Sequence, residues 1–418
     1  MQVQPATSRS ILTDPADALR TLSVGGRVVI ALFAISWLVW FAPFDDLLDR
    51  SGTPLGGDYV MLYVAGQTIT DGDSARLYDD QANQRRSSEV FPAMHDEASW
   101  PYRYPPVTAW LMQPLARLPF AASFAVFFLG CAACMALTIA RLAREFVPEA
   151  GHTRRVLFWV AAGWPLVGEA LIGGQSSPVA LCLVVAAAVA LRRRRDVLAG
   201  VFLGLCIYKP NMVGMAVLGT LAARPKAFWG MLGVAIPAAL ISVSSVGSAG
   251  IRTYAELASS LATAEWQLET PFWKVHGLAP LIDLVAPGQG KLLAFLLGIP
   301  VAVWLGRCLR HAEGNRFWLV FAALLTANAL FNPYVPIYDM LLLLPALLAT
   351  GVWFVQTHRA DLYRVMPGLA AFAAIAFAGP HMSQALAPRL GWQVFPLAVI
   401  ALLVVQVRQI RRPHGTAA

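Results

Sequence analysis

The chain has 418 residues, 57% of them hydrophobic and 13% charged, with a mean hydropathy of +0.59, whereas a soluble domain carries about 25% charged residues. That balance excludes a disordered, collagen-like or disulfide-stapled protein and points to a polytopic membrane protein. The formal charge of +8 does not indicate a nucleic-acid partner, because the basic residues sit in short loops between apolar runs.

In chain order, an apolar run at 27–44 follows Arg20 and Arg27. It is too long for a signal sequence and lacks a small-residue cleavage site, so it reads as an uncleaved first span. A long segment at 45–119 follows, then apolar runs at 120–142, 156–172 and 178–191. The stretch 197–223 is interrupted by Lys209-Pro210-Asn211, and Pro210 removes a backbone donor where a helix would otherwise continue. Two half-helices folded as a hairpin are predicted there, with Arg192 to Arg195 and Arg224/Lys226 on one side. Further runs lie at 228–246, 292–309, 317–331, 337–354, 365–377 and 392–407, and a second long segment occupies 247–290. The prediction is an all-α polytopic integral membrane protein of about 10 to 12 transmembrane helices, whose two long outer loops (45–119 and 247–290) form short amphipathic helices capping a cavity. Residues 27–408 make a single transmembrane domain between tails at 1–26 and 409–418.

Most of the 32 basic residues fall on the side of both termini, which the positive-inside rule makes cytoplasmic. The long segments then face the exterior. Cys131, Cys134, Cys182, Cys206 and Cys308 lie in or at the ends of apolar segments and read as packing residues rather than disulfides.

Among chemistry-bearing residues, Asp58 follows two glycines and precedes a helix-compatible run with Tyr59 and Tyr63. It suits a helix N-cap and also a carboxylate that takes a proton from a bound hydroxyl. Asp71-Gly72-Asp73 reads as a turn rather than a metal site. Arg103 lies between Tyr102 and Tyr104, placed to reach lipid headgroups or to bind a phosphate. Lys209 is an ammonium within a broken apolar segment, a functional-site signal. No acidic residue stands close to Lys209 or Arg103 in sequence. Glu169, ahead of Gly173-Gly174-Gln175-Ser176, and Asp339, after Tyr338, are the other acids at membrane depth or its rim, and either suits a salt bridge. His276, close to Lys274, suits an acid, a base or a solvated loop residue. No cofactor or metal site and no nucleotide-binding fingerprint is recognisable. Intramembrane charges at a broken helix also fit a secondary transporter or lipid-carrier flippase.

Taken together, GGDYVMLYVAG, YRYPPVTAWLMQPLARLP, GGQSSPVALCLVV, AGVFLGLCIYKPNMV and FNPYVPIYDMLLLLPAL, in that order, resemble glycosyltransferase family 87. The resemblance implies a GT-C-like bundle and a polyprenyl-phosphate-mannose-dependent mannosyltransferase of the bacterial-type inner membrane, with its site facing the periplasm or exterior. It implies a polyprenyl-phosphate-linked sugar donor, a lipid or glycan acceptor, an inverting displacement, and no cofactor. Asp58 matches the family's catalytic acid, and Lys209 the Lys-Pro of its helix hairpin, where a cation meets the donor phosphate. Arg103 and Lys274 are the further phosphate-binding candidates. Tyr59, Tyr63, Tyr104, Gln175, Glu169, His276, Tyr338 and Asp339 are the substrate-binding candidates. Where many relatives carry Ser-Pro and then Trp-His, this chain has Asn332-Pro333 and then Tyr338-Asp339, which implies a different acceptor.

Overall fold

The computed structural model describes residues 15–41, 46–93, 101–148, 151–262, 272–357 and 362–412. The ends of the two expected tails, 1–14 and 413–418, lie outside the described residues, as does Pro271 of the second long segment. Helices account for the architecture, and the one β-type contact among the described residues is an isolated bridge between Leu48 and Pro54.

Four helices are long and apolar enough to cross a membrane. They include α5 (Phe120–Phe146), α11 (Ala227–Ala262) and α13 (Gly290–Arg310). The fourth span, Ile337–Thr357, joins a 3-10 turn at Ile337–Leu342 to α15 (Leu343–Thr357). A fifth is obtained if α6 (His152–Ala162) and α7 (Pro165–Ile172), bent by 54° at their junction, count as one. Pro165 accounts for the bend, since it cannot continue the backbone ladder of α6. Leucines on the outer faces of these helices, such as Leu129, Leu137 and Leu240, are exposed, as a lipid-facing surface requires.

The core is organised around α14 (Gly314–Phe331), whose residues from Phe317 to Phe331 are all buried. A helix that is apolar on every face belongs in an interior rather than at a lipid boundary. Around it pack α10 (Gly214–Ala223), α13, α15 and α17 (Phe395–Arg411), while α8 (Ser177–Arg192) joins the same core against α5.

The first long segment departs from the expected surface-lying amphipathic helices. Its α2 (Tyr59–Thr70) is buried at eight positions, from Tyr59 to Thr68. Together with α4 (Pro106–Ala116) and the start of α5 it forms a second apolar cluster containing Leu77, Phe91 and Tyr102. Aromatic mass explains the difference: Tyr59 is flanked by Phe120, Phe124 and Phe127 at 4.5 to 5.8 Å between ring centroids, enough for a small core of its own.

The second long segment begins with helix, as expected, but that helix, 247 to 262, is continuous with the span before it. Gly247, at φ 65°, kinks α11 rather than ending it. The continuation lays Tyr254 against Tyr78 of the first segment, ring centroids 5.7 Å apart.

The interrupted stretch forms two short helices, α9 (Asp196–Leu205) and α10 (Gly214–Ala223), joined through two 3-10 turns. Its ends return to one another: Arg224 Nε lies 3.9 Å from Asp196 Oδ1. The hairpin predicted from Lys209-Pro210-Asn211 is therefore the observed arrangement. All five cysteines are free thiols.

Candidate active site

Two glycine pairs build the first half of the site. Gly56 and Gly57, both at positive φ, precede α2, and Gly173 and Gly174, the latter at φ 64°, follow α7. The two turns touch through their backbones: Asp58 N donates to Gly173 O at 3.2 Å, and a Cβ on Gly174 would stand 1.9 Å from Gly56 O. This contact sets Asp58 beside Gln175. A Gly174→Ala variant must open that contact and hold an L side chain at positive φ, so a loss of about 1–3 kcal/mol is expected. Thermal unfolding checks it, and an unchanged Tm would show that the turns separate freely.

Asp58 occupies the N-cap position of α2, yet its carboxylate makes no capping bond. One of the donors it would cap is already taken, Val60 N donating to Gly57 O at 3.1 Å, and Tyr59 N before it donates to Gly56 O at 2.8 Å. Relieved of that duty, the carboxylate accepts from Gln175 Nε2 at 2.5 Å. Burial among its neighbours pushes the Asp58 carboxyl above the ordinary aspartate range, opposed in part by Gln175, Lys209, Tyr338 and Lys274. A raised carboxyl in a site is the condition under which aspartate serves as a base near neutral pH.

The second half comes from the hairpin. Pro210 breaks the backbone ladder and leaves Lys209 at the gap between the two 3-10 turns. Its ammonium is buried and lies 2.7 Å from Asp339 Oδ1, 2.8 Å from Ser177 Oγ and 3.5 Å from Gln175 Oε1, with the Tyr338 ring centroid at 4.9 Å. Asp339, also buried, accepts from Ser177 Oγ at 2.6 Å and from Asn211 Nδ2 at 2.8 Å. Asn328 and Asn332 both donate to the Asn211 carbonyl oxygen, so the turn carrying Lys209 is tied to the end of α14. Gln175, donating to Asp58 and accepting from Lys209, joins the two halves into one polar chain.

Lys209, which has no acid close to it in sequence, gains its partner in Asp339 from a distant part of the chain, the salt bridge that Asp339 suited. Arg103 likewise has one: α3 (Asp80–Val90) brings Asp80 within 3.2 and 3.3 Å of its guanidinium nitrogens. The remaining expected residues divide by place. Tyr104 lies beside Ser176 and within electrostatic reach of Lys209, Asp58 and Asp339, and Lys274 and Tyr338 both act on Asp58. Tyr59 and Tyr63 face the aromatic cluster instead, their hydroxyls bonded to Ser123 Oγ at 2.5 Å and to Leu118 O at 2.8 Å. Glu169 pairs with His381 at 3.5 Å. His276 is buried rather than solvated, its ring nitrogens 3.2 Å from Lys274 O and 3.3 Å from Pro380 O. Burial pushes its imidazole down to about 4, so near neutral pH it is an uncharged pin for the second segment. Asp71 and Asp73 are held by Arg86 at 2.6 and 3.5 Å.

Ser177 and Asn211 belong to the site although sequence reasoning did not select them. Both were adjacent to a recognised signal, Ser177 in the Gly-Gly-Gln-Ser-Ser-Pro turn and Asn211 directly after Lys209-Pro210.

The family described as glycosyltransferase family 87 matches residues 102–345, a range that includes Gln175, Ser177, Lys209, Asn211 and Asp339 and leaves Asp58 before its start. Neither the curated proteins nor the solved structures gave a match. Because the family match covers more than half of the chain and the apolar helices enclose a polar site, the protein belongs to glycosyltransferase family 87 and is a membrane glycosyltransferase.

Proposed function

We propose that the enzyme moves a sugar, mannose in the first instance, from a polyprenyl phosphate donor to a lipid or glycan acceptor. The observation that carries this reading is the Asp58 carboxylate, freed from capping, in one polar chain with Lys209. In the reaction the acceptor hydroxyl oxygen attacks the anomeric carbon while Asp58 takes its proton. The bond from that carbon to the phosphate oxygen breaks, and the electron pair leaves with the polyprenyl phosphate. A single in-line displacement inverts a β-linked donor to an α-glycoside. Lys209 and Lys274 are the cations whose charges act on Asp58, and a leaving phosphate beside Asp58 would meet the same charges. Arg103 contributes only by exchanging Asp80 for the donor. Tyr104, Gln175, Tyr338 and Asp339 border the substrates.

The same reading gives a GT-C-like bundle of ten spans: α1 (Pro15–Phe41), α5, the bent pair α6 and α7, α8, α11, α13, α14, α15, α16 (Leu362–Leu390) and α17. The hairpin of α9 and α10 enters and leaves on one side. Both termini are cytoplasmic in a bacterial-type inner membrane, and Asp58 faces the exterior. Thiol labelling checks the topology after the native cysteines are replaced. Ser87, in the exterior segment, is buried and unsuited to a reporter, so exposed Arg85 takes its place. Arg85→Cys is expected to react with an impermeant reagent added outside intact cells, and Glu313→Cys, exposed beside Arg194 at the other end, only after permeabilisation. The reverse pattern would put the site on the wrong face for this donor geometry.

Activity is tested by incubating the purified enzyme in detergent with radiolabelled polyprenyl-phosphate-mannose and total membrane lipids. Label is expected in a new lipid or glycan product. Absence of transfer, together with uptake of label into sealed vesicles, would instead support a carrier.

A further inference from the structure

At the end of the bundle opposite Asp58, the apolar surfaces of α5, α8 and α9 leave a cleft of about 410 Å³. Its floor and sides are aliphatic and aromatic: Leu137, Val185, Val189, Leu198 and Phe202. Leu137 and Leu198 are exposed, so the cleft opens sideways, toward the hydrocarbon around a membrane protein. Its mouth is basic, formed by Arg141, Arg144, Arg193 and Arg195. The charge there is only partly neutralised: Glu145 is engaged by Arg141 and Arg192. Among the described residues no acidic side chain pairs with Arg144, Arg193 or Arg195. Arg141 also keeps a buried Nε without a hydrogen-bond partner, an uncommon and costly state for a buried donor.

An apolar trough open to the bilayer, closed at one end by several guanidinium groups, has the chemistry of one kind of molecule. We propose that this cleft binds an anionic glycerophospholipid, with its phosphate among Arg144, Arg193 and Arg195 and an acyl chain along Leu137, Val189 and Phe202. Guanidinium forks match phosphate oxygens, and basic pockets between transmembrane helices select acidic headgroups. A soluble phosphate would leave the trough empty, and a zwitterionic lipid would leave the arginine charge uncompensated. The length of α8, 16 residues or about 24 Å at 1.5 Å per residue, separates the arginine mouth of the cleft from Ser177, and the trough ends at Cys182, still short of Ser177. The lipid therefore braces α5 against α8 and α9 and does not enter the polar site.

The test uses the full-length protein, delipidated in detergent and mixed with equal amounts of phosphatidylglycerol and phosphatidylcholine, with bound lipid read by native mass spectrometry. One phosphatidylglycerol is expected to be retained about ten-fold or more over phosphatidylcholine. Two variants report on the two halves of the cleft: Arg144→Gln/Arg193→Gln/Arg195→Gln removes the charge, and Val189→Trp fills the trough while leaving the arginines in place. Each should lower retention by at least about ten-fold, with lipid-free Tm close to the parent confirming the fold. Equal retention of both lipids by the parent would overturn the proposal. So would phosphatidylglycerol held undiminished by either folded variant, since loss in the arginine variant alone means headgroups gathered by surface charge and not a bound lipid.

Discussion

Asparagine in place of Asp58 is expected to leave a folded enzyme that binds its donor and turns over at least about 100-fold more slowly, with about 10,000-fold as the upper end for loss of a general base. The substitution is close to isosteric and retains an oxygen to accept from Gln175 Nε2. Helix α2 does not depend on the carboxylate, because Gly56 and Gly57 carbonyls already receive its first amides. Stability and activity are therefore separable at this position, and an unfolding free energy within about 0.5 kcal/mol of the parent is expected for a change that removes no packing or cap. The pH profile gives a second reading. The base acts only when deprotonated, so activity falls as pH is lowered through the pKa of the folded enzyme. Burial raises that value above the ordinary 3.8, so the acidic limb of the parent's kcat/KM profile should lie above pH 3.8 and vanish in the residual activity of the variant. Near-normal turnover in Asp58→Asn would move the base elsewhere, with Asp339 the next carboxylate in the polar chain.

The second large effect concerns Lys209, where the ion pair changes what a single substitution means. Lys209→Met leaves Asp339 buried with no counter-charge, and removing one partner of a buried pair costs about 3–5 kcal/mol of stability. Under the proposed function it also removes a charge-assisted contact to the donor phosphate, worth about 1.5–3 kcal/mol, or roughly 10- to 150-fold in affinity. The double variant Lys209→Met/Asp339→Asn separates the two. Asparagine deletes the orphaned charge, its amide oxygen can accept from Asn211, and its amide nitrogen can donate to the Ser177 oxygen that Lys209 has vacated, so most of the lost Tm should return. Donor affinity should not return with it. Parental binding of the polyprenyl phosphate by the stabilised double variant would assign Lys209 a purely structural part.

Local signals in the sequence were strong wherever covalent geometry dictated them. Pro210 identified the break that holds Lys209, and the flanking arginines gave the hairpin its shared side. The glycine pairs ahead of Asp58 and Gln175 marked two tight turns, although nothing local shows that the turns meet. The pairing of Lys209 with Asp339 and of Arg103 with Asp80 was hidden for a similar reason. Each charge is readable alone, but its partner is chosen by helix packing between distant segments. Reading 45–119 as surface helices underestimated a cluster whose rings come from α2, α4 and α5, each modest in isolation. At 247 the apolar run ends but the helix does not, because the chain turns at Gly247 and resumes as helix. His276 illustrates the limit for single side chains: loop composition suggests solvent, while the backbone carbonyls of Lys274 and Pro380 enclose it.

The hairpin of α9 and α10 also constrains how the protein is made. Each half has 10 residues, or about 15 Å of helix, half of a hydrocarbon layer about 30 Å thick, so neither half can be threaded into the bilayer as an independent span. Lys209 emerges from the ribosome long before Asp339, and an unpaired ammonium at membrane depth is strongly disfavoured. The hairpin is therefore expected to stay near the surface it enters from until α14 and the turn at Ile337–Leu342 have been synthesised, and to move inward as the ion pair forms. Assembly of the polar chain is in this sense a late event of biogenesis. Nascent chains arrested before Asp339 should expose the α9 to α10 segment to protease on the side of its two ends.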